Sequence, residues 1–297
     1  VSTPGFSSIY TNTNSAIIDM IVFNNKLYAG TGWSGAPAQV WRTDNGTTWE
    51  QVIGNGFGNP DNIAVESFTI INNQLYASTH NLVDGLEIWR TADGSTWFPV
   101  VTGGNGNQNN TFVGGIAEFK GAFYAAIENE TQGAQIWRST DGAVWTPIIT
   151  YGFGDARNIH TNSPVVFRGE LYIGTLNYET GSQIWKTSDG TNWIPVMQNG
   201  FGDAKNIKNE MLRVFEGALY ALTSNSERGG QVWKSNDGIT WKQVSPDGFG
   251  DSNNKSTLNN FGNVEFNSIL YIGTMENPSG GEVWQMLKPV YLPFIKR

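Results

Sequence analysis

Cysteine is absent from the 297 residues, so neither a disulfide staple nor thiolate chemistry is possible. Histidine occurs twice, at His80 and His160, with no metal-ligand spacing between them. Positive charge is short: 18 Lys and Arg stand against 26 Asp and Glu, a net charge of −8. A nucleic-acid groove would need a basic stripe, and none is visible. No apolar run approaches the length of a membrane span. No 3.6-residue apolar period exists either, which excludes a solenoid of helices. H-E-x-x-H, G-x-S-x-G and the P-loop are missing too.

What is present is repetition. The stretch Gln183 to Trp193, Q-I-W-K-T-S-D-G-T-N-W, returns at Gln39, Glu87, Gln135 and Gln231, and returns degraded at Glu282. Its first Trp falls at 41, 89, 137, 185, 233 and 284, a step of 48 residues that becomes 51 at the end. An L-Y or F-Y pair keeps the same phase, starting at Leu27, Leu75, Phe123, Leu171, Leu219 and Leu270. A β-rich repeat of about 40–50 residues is the mark of a four-stranded propeller blade. The expected fold is therefore all-β: one six-bladed propeller over residues 1–297, four antiparallel strands per blade. The blades are expected near 16–53, 64–101, 112–149, 160–197, 208–245 and 259–297.

Asp189-Gly190 reads as a two-residue hairpin turn with positive φ at both positions. That count sets Lys186 opposite Trp193, and likewise Arg42, Arg90, Arg138 and Lys234 opposite Trp49, Trp97, Trp145 and Trp241. Each cation would then meet an indole across the ladder. In the last copy cation and second indole vanish together, since Gln285 follows Trp284. The turns Asn24-Asn25, Asn72-Asn73, Lys120-Gly121, Arg168-Gly169, Glu216-Gly217 and Asn267-Ser268 are hairpin pairs on the same rim. The opposite rim carries the longer b–c and d–a loops, where function is expected.

The S/T-x-D-G-x-x-W turn, as in Ser139 to Trp145, Thr187 to Trp193 and Ser235 to Trp241, resembles a shortened Asp-box of sialidase-like BNR propellers. It has one residue fewer between Asp and Trp, and Asn45 takes the Asp place in the first blade. The resemblance implies fold rather than activity, because in that superfamily the motif is structural. A sialidase needs three converging arginines. Arg42, Arg90 and Arg138 are accounted for by the repeat, Arg168 lies on the wrong rim, and of Arg157, Arg213 and Arg228 only Arg213 lies on an inner strand.

A second motif fills the d–a loops: G-F-G-N-P-D-N from Gly56, G-F-G-D-A-R-N from Gly152, G-F-G-D-A-K-N from Gly200 and G-F-G-D-S-N-N from Gly248. The version from Gly104, G-N-G-N-Q-N-N, lacks the Phe. The simple reading is a Phe tucked between blades; the sharper one is calcium on Asp155, Asp203 and Asp251, each loop giving one carboxylate. Asn81, Asn129, Asn177 and Asn225 recur at one position and read as turn chemistry. Glu128 and Glu130 read as a solvated turn.

Blade-specific residues carry the functional expectations. Eleven of the 12 Trp belong to the repeat and Trp33 does not. Trp33 and Tyr178, both in b–c loops, suit sugar rings or a protein partner. Along the inner strands, Asp19, Glu66 and Glu210 interrupt small residues, with Asn162 and His160 beside them. Three functions are kept: a non-catalytic propeller binding carbohydrate or protein, a glycan-cleaving hydrolase or lyase with Glu66, Glu210 and Asp19 as its carboxylates, and a scaffold. No cofactor is required, and a monomer without nucleic-acid or membrane partner is expected. Val1 in place of Met suggests a cleaved export signal, hence an extracellular or cell-envelope location. Ring closure is assigned to the apolar tail from Val290, with Gly5-Phe6 reinforcing the seam.

Overall fold

A computed structural model describes residues 16–32, 36–162, 164–257, 263–275 and 278–286. The fold is all-β and propeller-like. The first unit is a meander of strands Ala16–Phe23, Lys26–Gly32, Val40–Thr43 and Glu50–Ile53, each antiparallel to the next. The second repeats it with Ala64–Ile71, Gln74–His80, Ile88–Thr91 and Phe98–Val101. The third does so with Val113–Phe119, Ala122–Ile127, Gln135–Ser139 and Thr146–Ile149. The same order continues along the chain. In the last unit the strands Asn263–Phe266, Ile269–Met275 and Val283–Met286 are described.

The second strand of each unit is buried on both faces, as in Ala122–Ile127, where all six residues are buried. This explains its continuous apolar run: each inner sheet is covered by a neighbour on either side. The core is accordingly a series of layers between units. Phe23, Tyr28 and Val40 pack on Val65, Phe68 and Leu75. Phe119, Tyr124 and Ile136 pack on Leu171 and Ile173. Phe215, Tyr220 and Val232 pack on Leu270 and Ile272. The last unit presents Phe266 and Val283 in the register of Phe215 and Val232, yet they are 61% and 77% exposed. The expected closure by Phe6 and the tail from Val290 lies outside the described residues.

The a–b turns are as expected. Both residues of Asn24-Asn25, Lys120-Gly121 and Arg168-Gly169 have positive φ. The D-G turns are not two-residue hairpins. Thr187, not Lys186, lies opposite Trp193, and Arg138 lies opposite Thr146. The reason is side-chain chemistry. Asp189 Oδ1 accepts the backbone N–H of Thr191 and Asn192, both at 2.8 Å, and Thr187 Oγ1 accepts that of Gly190 at 2.8 Å. The carboxylate organises a longer loop, and only the glycine takes positive φ. A one-residue shift of register turns every side chain to the other face. The cations therefore meet the tyrosine of the second strand: Lys186 Nζ lies 6.0 Å from the Tyr172 ring and Lys234 Nζ 5.5 Å from that of Tyr220.

That tyrosine also locks the junctions. The hydroxyls of Tyr28, Tyr76, Tyr124 and Tyr172 reach Gly94, Gly142, Gly190 and Gly238 of the following unit so closely that a Cβ there would collide with each. Gly46, the matching glycine of the first unit, has nothing within 4 Å of such a Cβ. On the other rim, the loop Phe of one unit fills the next. Phe201 stacks on Trp233 at 4.4 Å and meets Trp241 edge-on at 5.6 Å. Phe57, Phe153 and Phe249 repeat the stack on Trp89, Trp185 and Trp284. All four phenylalanines are held at φ between 59° and 62°. That region costs a residue with a Cβ about 1–2 kcal/mol, and stacking and burial of the ring offset it.

Candidate functional site

Each second strand runs past its own unit and bonds to the residues that open the next. Gly32 pairs with Ala64, Leu176 with Lys208 and Ser224 with Ser256. At the third unit the Asn129 N–H donates to Ile159 O at 3.0 Å, while the Glu128 N–H before it donates to Phe112 O of its own unit at 3.0 Å. These bridges form a belt at the end of the sheets that carries the b–c and d–a loops. His80 and Glu128 occupy one phase of the repeat, and Phe112 and His160 another, each pair 48 residues apart. The belt therefore brings four side chains of three units into one row.

Phe112 lies between the two histidines, its ring centroid 5.0 Å from that of His80 and 5.0 Å from that of His160. Each imidazole meets a carboxylate. His80 Nδ1 lies 2.9 Å from Glu66 Oε1. His160 Nδ1 lies 3.4 Å from Glu128 Oε2, and Thr111 Oγ1 donates to Glu128 Oε1 at 2.8 Å. Burial would raise the Glu128 pKa, but the His160 imidazole, the Thr111 hydroxyl and the charge of His80 outweigh it and hold the carboxyl below its usual range. Both Glu128 oxygens are engaged, whereas Glu66 Oε2 has no partner among the described residues.

A bulge explains how Glu66 reaches this row from an inner strand. The register breaks between Val65 and Ser67, at Glu66, and between Ile17 and Asp19, at Ile18, so that Asp19 follows a bulge and pairs with Gly30. A bulged residue is re-aimed out of the ladder. Asp19 Oδ2 accepts the Phe68 N–H at 2.7 Å and Oδ1 the Met20 N–H at 2.8 Å. Burial raises its pKa, the two amides counter this, and the Glu66 charge adds to the rise. Asp19 and Glu66 are thus electrostatic neighbours from adjacent units.

The other expected residues divide. Glu210 also falls at a bulge, between Asn209 and Met211, but its side chain lies outside the described set. Trp33 lies outside it as well. Tyr178 is 65% exposed on its loop. Asn162 is buried and spent between strands: its Oδ1 accepts from Gly174 N at 3.1 Å and its Nδ2 donates to Asn209 O at 2.6 Å. Two of the three aspartates proposed for calcium are engaged otherwise, Asp155 by the guanidinium of Arg157 at 2.8 Å and Asp203 beside Arg228 at 3.7 Å. Among the described residues no group of three or more His, Asp or Glu could hold a metal ion. Asn81 Oδ1 accepts the N–H of Val83 and Asp84, the turn chemistry expected. Glu128, read as a solvated turn, is instead buried. His80, Phe112 and Glu128 escaped notice as site residues, although the shared phase of 80 with 128 and 112 with 160 was in the sequence.

Residues 150–255 match a family described as the DUF6242 beta propeller domain. No curated protein matches. Among solved structures, an ancestral GH74 enzyme is similar at 18% identity and a TM-score of 0.58 over 91% of this chain and 38% of its own. A prolyl endopeptidase structure is similar at 11% identity and a TM-score of 0.58, over 90% of this chain and 40% of its own. The Trypanosoma rangeli sialidase is similar at 15% identity and a TM-score of 0.50, over 87% of this chain and 52% of its own. The chain thus spans about half the length of these proteins or less, and the likeness is one of fold.

Proposed function

We propose that the chain is an exported, six-bladed propeller with a 48-residue repeat and Asp-box-like hairpins, which binds a carbohydrate without cleaving it. The ligand sits on the rim of b–c and d–a loops, with the histidine–carboxylate pairs as its polar centre. One observation carries this reading: the only two histidines of the chain converge on one phenylalanine, each braced by a glutamate. Glu66 Oε2 is a ready acceptor for a sugar hydroxyl. Glu128 is held ionised with both oxygens engaged, which suits a fixed charge better than a proton donor. GH74 and sialidase neighbours on the same fold are consistent with a glycan ligand.

A second reading, cleavage of the glycan, draws on the raised pKa of Asp19 beside Glu66, which would provide an acid and a base. Polysaccharide affinity gels read together with a reducing-end assay separate the two. Retention without new reducing ends is expected, with Glu66→Gln weakening retention about tenfold or less, the loss of one charged hydrogen bond. New reducing ends that vanish in Asp19→Asn and Glu66→Gln would establish the hydrolase. Retention unaffected by Glu66→Gln would remove the belt from the site.

A further inference from the structure

The junction of the second and third units departs from the others at two points. Asn105 stands where Phe57, Phe153, Phe201 and Phe249 plug the remaining junctions. Trp145 is buried in consequence. Its Nε1 donates to Gly142 O at 3.1 Å, and its carbonyl accepts from Asn105 Nδ2 at 3.3 Å. The equivalent indole nitrogens of Trp97, Trp193 and Trp241 are buried without a partner. At the exit of the third unit, Tyr151 stands where the fifth has Asp247. Asp247 accepts the amide of Gln231 at 2.8 Å. The matching amide of Gln135 has no such acceptor. Gln135 is 5% exposed, its Oε1 accepts from Trp137 Nε1 at 2.7 Å, and its Nε2 donates to no acceptor among the described residues.

These changes leave a cleft of about 480 Å³ lined by Asn105, Asn107, Gln132, Gln135, Pro147 and Tyr151, among others. It falls within the roughly 300–1,000 Å³ of small-ligand sites. No lining residue carries a formal charge. Asn107 occupies the phase of Asp155, Asp203 and Asp251, and Gln132 that of Asp84 and Arg228, so this junction has lost the charges found at the others. Asn107 Nδ2 donates to Gln132 Oε1 at 2.8 Å, which fixes both amides and leaves the Gln132 NH2 free. Tyr151, 57% exposed, forms the ridge between this cleft and an aromatic one of about 340 Å³ lined by Phe153, Trp185 and Trp193.

We infer that this cleft is a second binding site, for a neutral oligosaccharide. Side-chain amides offer a donor and an acceptor together, which matches vicinal hydroxyls. A half-exposed phenol offers a face for the apolar side of a sugar ring. The lack of charge selects against uronates and sialic acids, which would be desolvated without a cation. The proposal shares its ligand class, but no residue, with the histidine–carboxylate site.

The test is calorimetric titration of the whole chain with xylohexaose, cellohexaose, mannohexaose, an oligogalacturonate and an extended uncharged peptide. Two variants probe the cleft. Tyr151→Ala removes the exposed ring. Gln135→Glu keeps the acceptor for Trp137 but removes the donor, and glutamate already fills this place at Glu87 and Glu282. Unchanged thermal midpoints show that both fold. Binding of a neutral hexaose, weakened about tenfold or more by each variant, is the expected result, with Glu66→Gln reporting separately on the histidine–carboxylate site. Three outcomes overturn the proposal: no neutral sugar binds, only the peptide or the uronate binds, or the affinity ignores both variants. Loss in Glu66→Gln with none in Tyr151→Ala would do the same while leaving the histidine–carboxylate reading intact.

Discussion

Gly190→Ala tests the contact that spaces one sheet from the next. Two costs are expected. Gly190 has φ 83°, and an alanine there costs about 1–2 kcal/mol. The new Cβ would also collide with the Tyr124 hydroxyl, and overpacking of that kind costs about 1–3 kcal/mol. Gly46→Ala supplies the control, because Gly46 has φ 74° but open space beside it. Its cost should be the conformational part alone. Urea unfolding should therefore show Gly190→Ala more destabilised than Gly46→Ala by about 1–3 kcal/mol. Adding Tyr124→Phe removes the nearest colliding atom but leaves the ring Cζ 2.7 Å from the new Cβ, so it should recover only part of that difference, less about 1 kcal/mol for the bond that Arg138 Nε donates to the hydroxyl at 3.3 Å. Equal losses in the two glycine variants, or no recovery in the double variant, would refute the idea that the phenol–glycine contact sets the spacing.

Two more outcomes follow from the junctions and turns. Phe201→Ala should destabilise, by less than the roughly 3–5 kcal/mol of a fully buried phenylalanine because the ring is half-buried, and Phe201→Gly should recover about 1 kcal/mol of it by relieving φ 61°; denaturation midpoints of the pair measure both. Asp93, Asp141, Asp189 and Asp237 each accept loop amides that hold their carboxyls below the usual range. A depressed folded pKa stabilises above the unfolded value of about 3.9 and loses that contribution as pH falls toward the folded one. Stability should thus be level from neutral pH down to about 4 and decline below it. The fourfold Asp→Asn variant should flatten the decline in the urea midpoint between pH 4 and pH 2, since Asn45 already makes the same bonds without titrating, from Thr47 and Thr48 N–H at 2.9 and 2.8 Å.

Much of the architecture could be read from the chain because it is written in turn residues and a fixed phase. Asn-Asn and Lys-Gly pairs demand positive φ, and they have it. The D-G turns misled because the same dipeptide serves two devices. A hairpin of type I′ uses backbone conformation alone, whereas here Asp189 turns the chain with its side chain, and the register moves by one. The candidate site was half legible. Glu66, Asp19 and His160 stood out as exceptions to their columns, but their partners did not. His80 and Phe112 lie in different units, and only the bridging of each second strand to the next unit brings them together. The uncharged cleft was hidden for the opposite reason: Asn105 and Tyr151 look like losses from a motif, and a loss is silent until the space it leaves is seen.

The tyrosine hydroxyls abut the turn glycines at one rim, while backbone bridges join the same neighbours at the other. The four joints from the first unit to the fifth are thus held at both of their ends, and those sheets cannot part at the loop rim by pivoting about the far one. A guest that wedges itself between neighbours would have to lift a phenol off its glycine some two dozen ångströms away, about the seven-residue length of a strand. A fluorophore on the exposed turn beside Gly190 would then register occupancy it never touches.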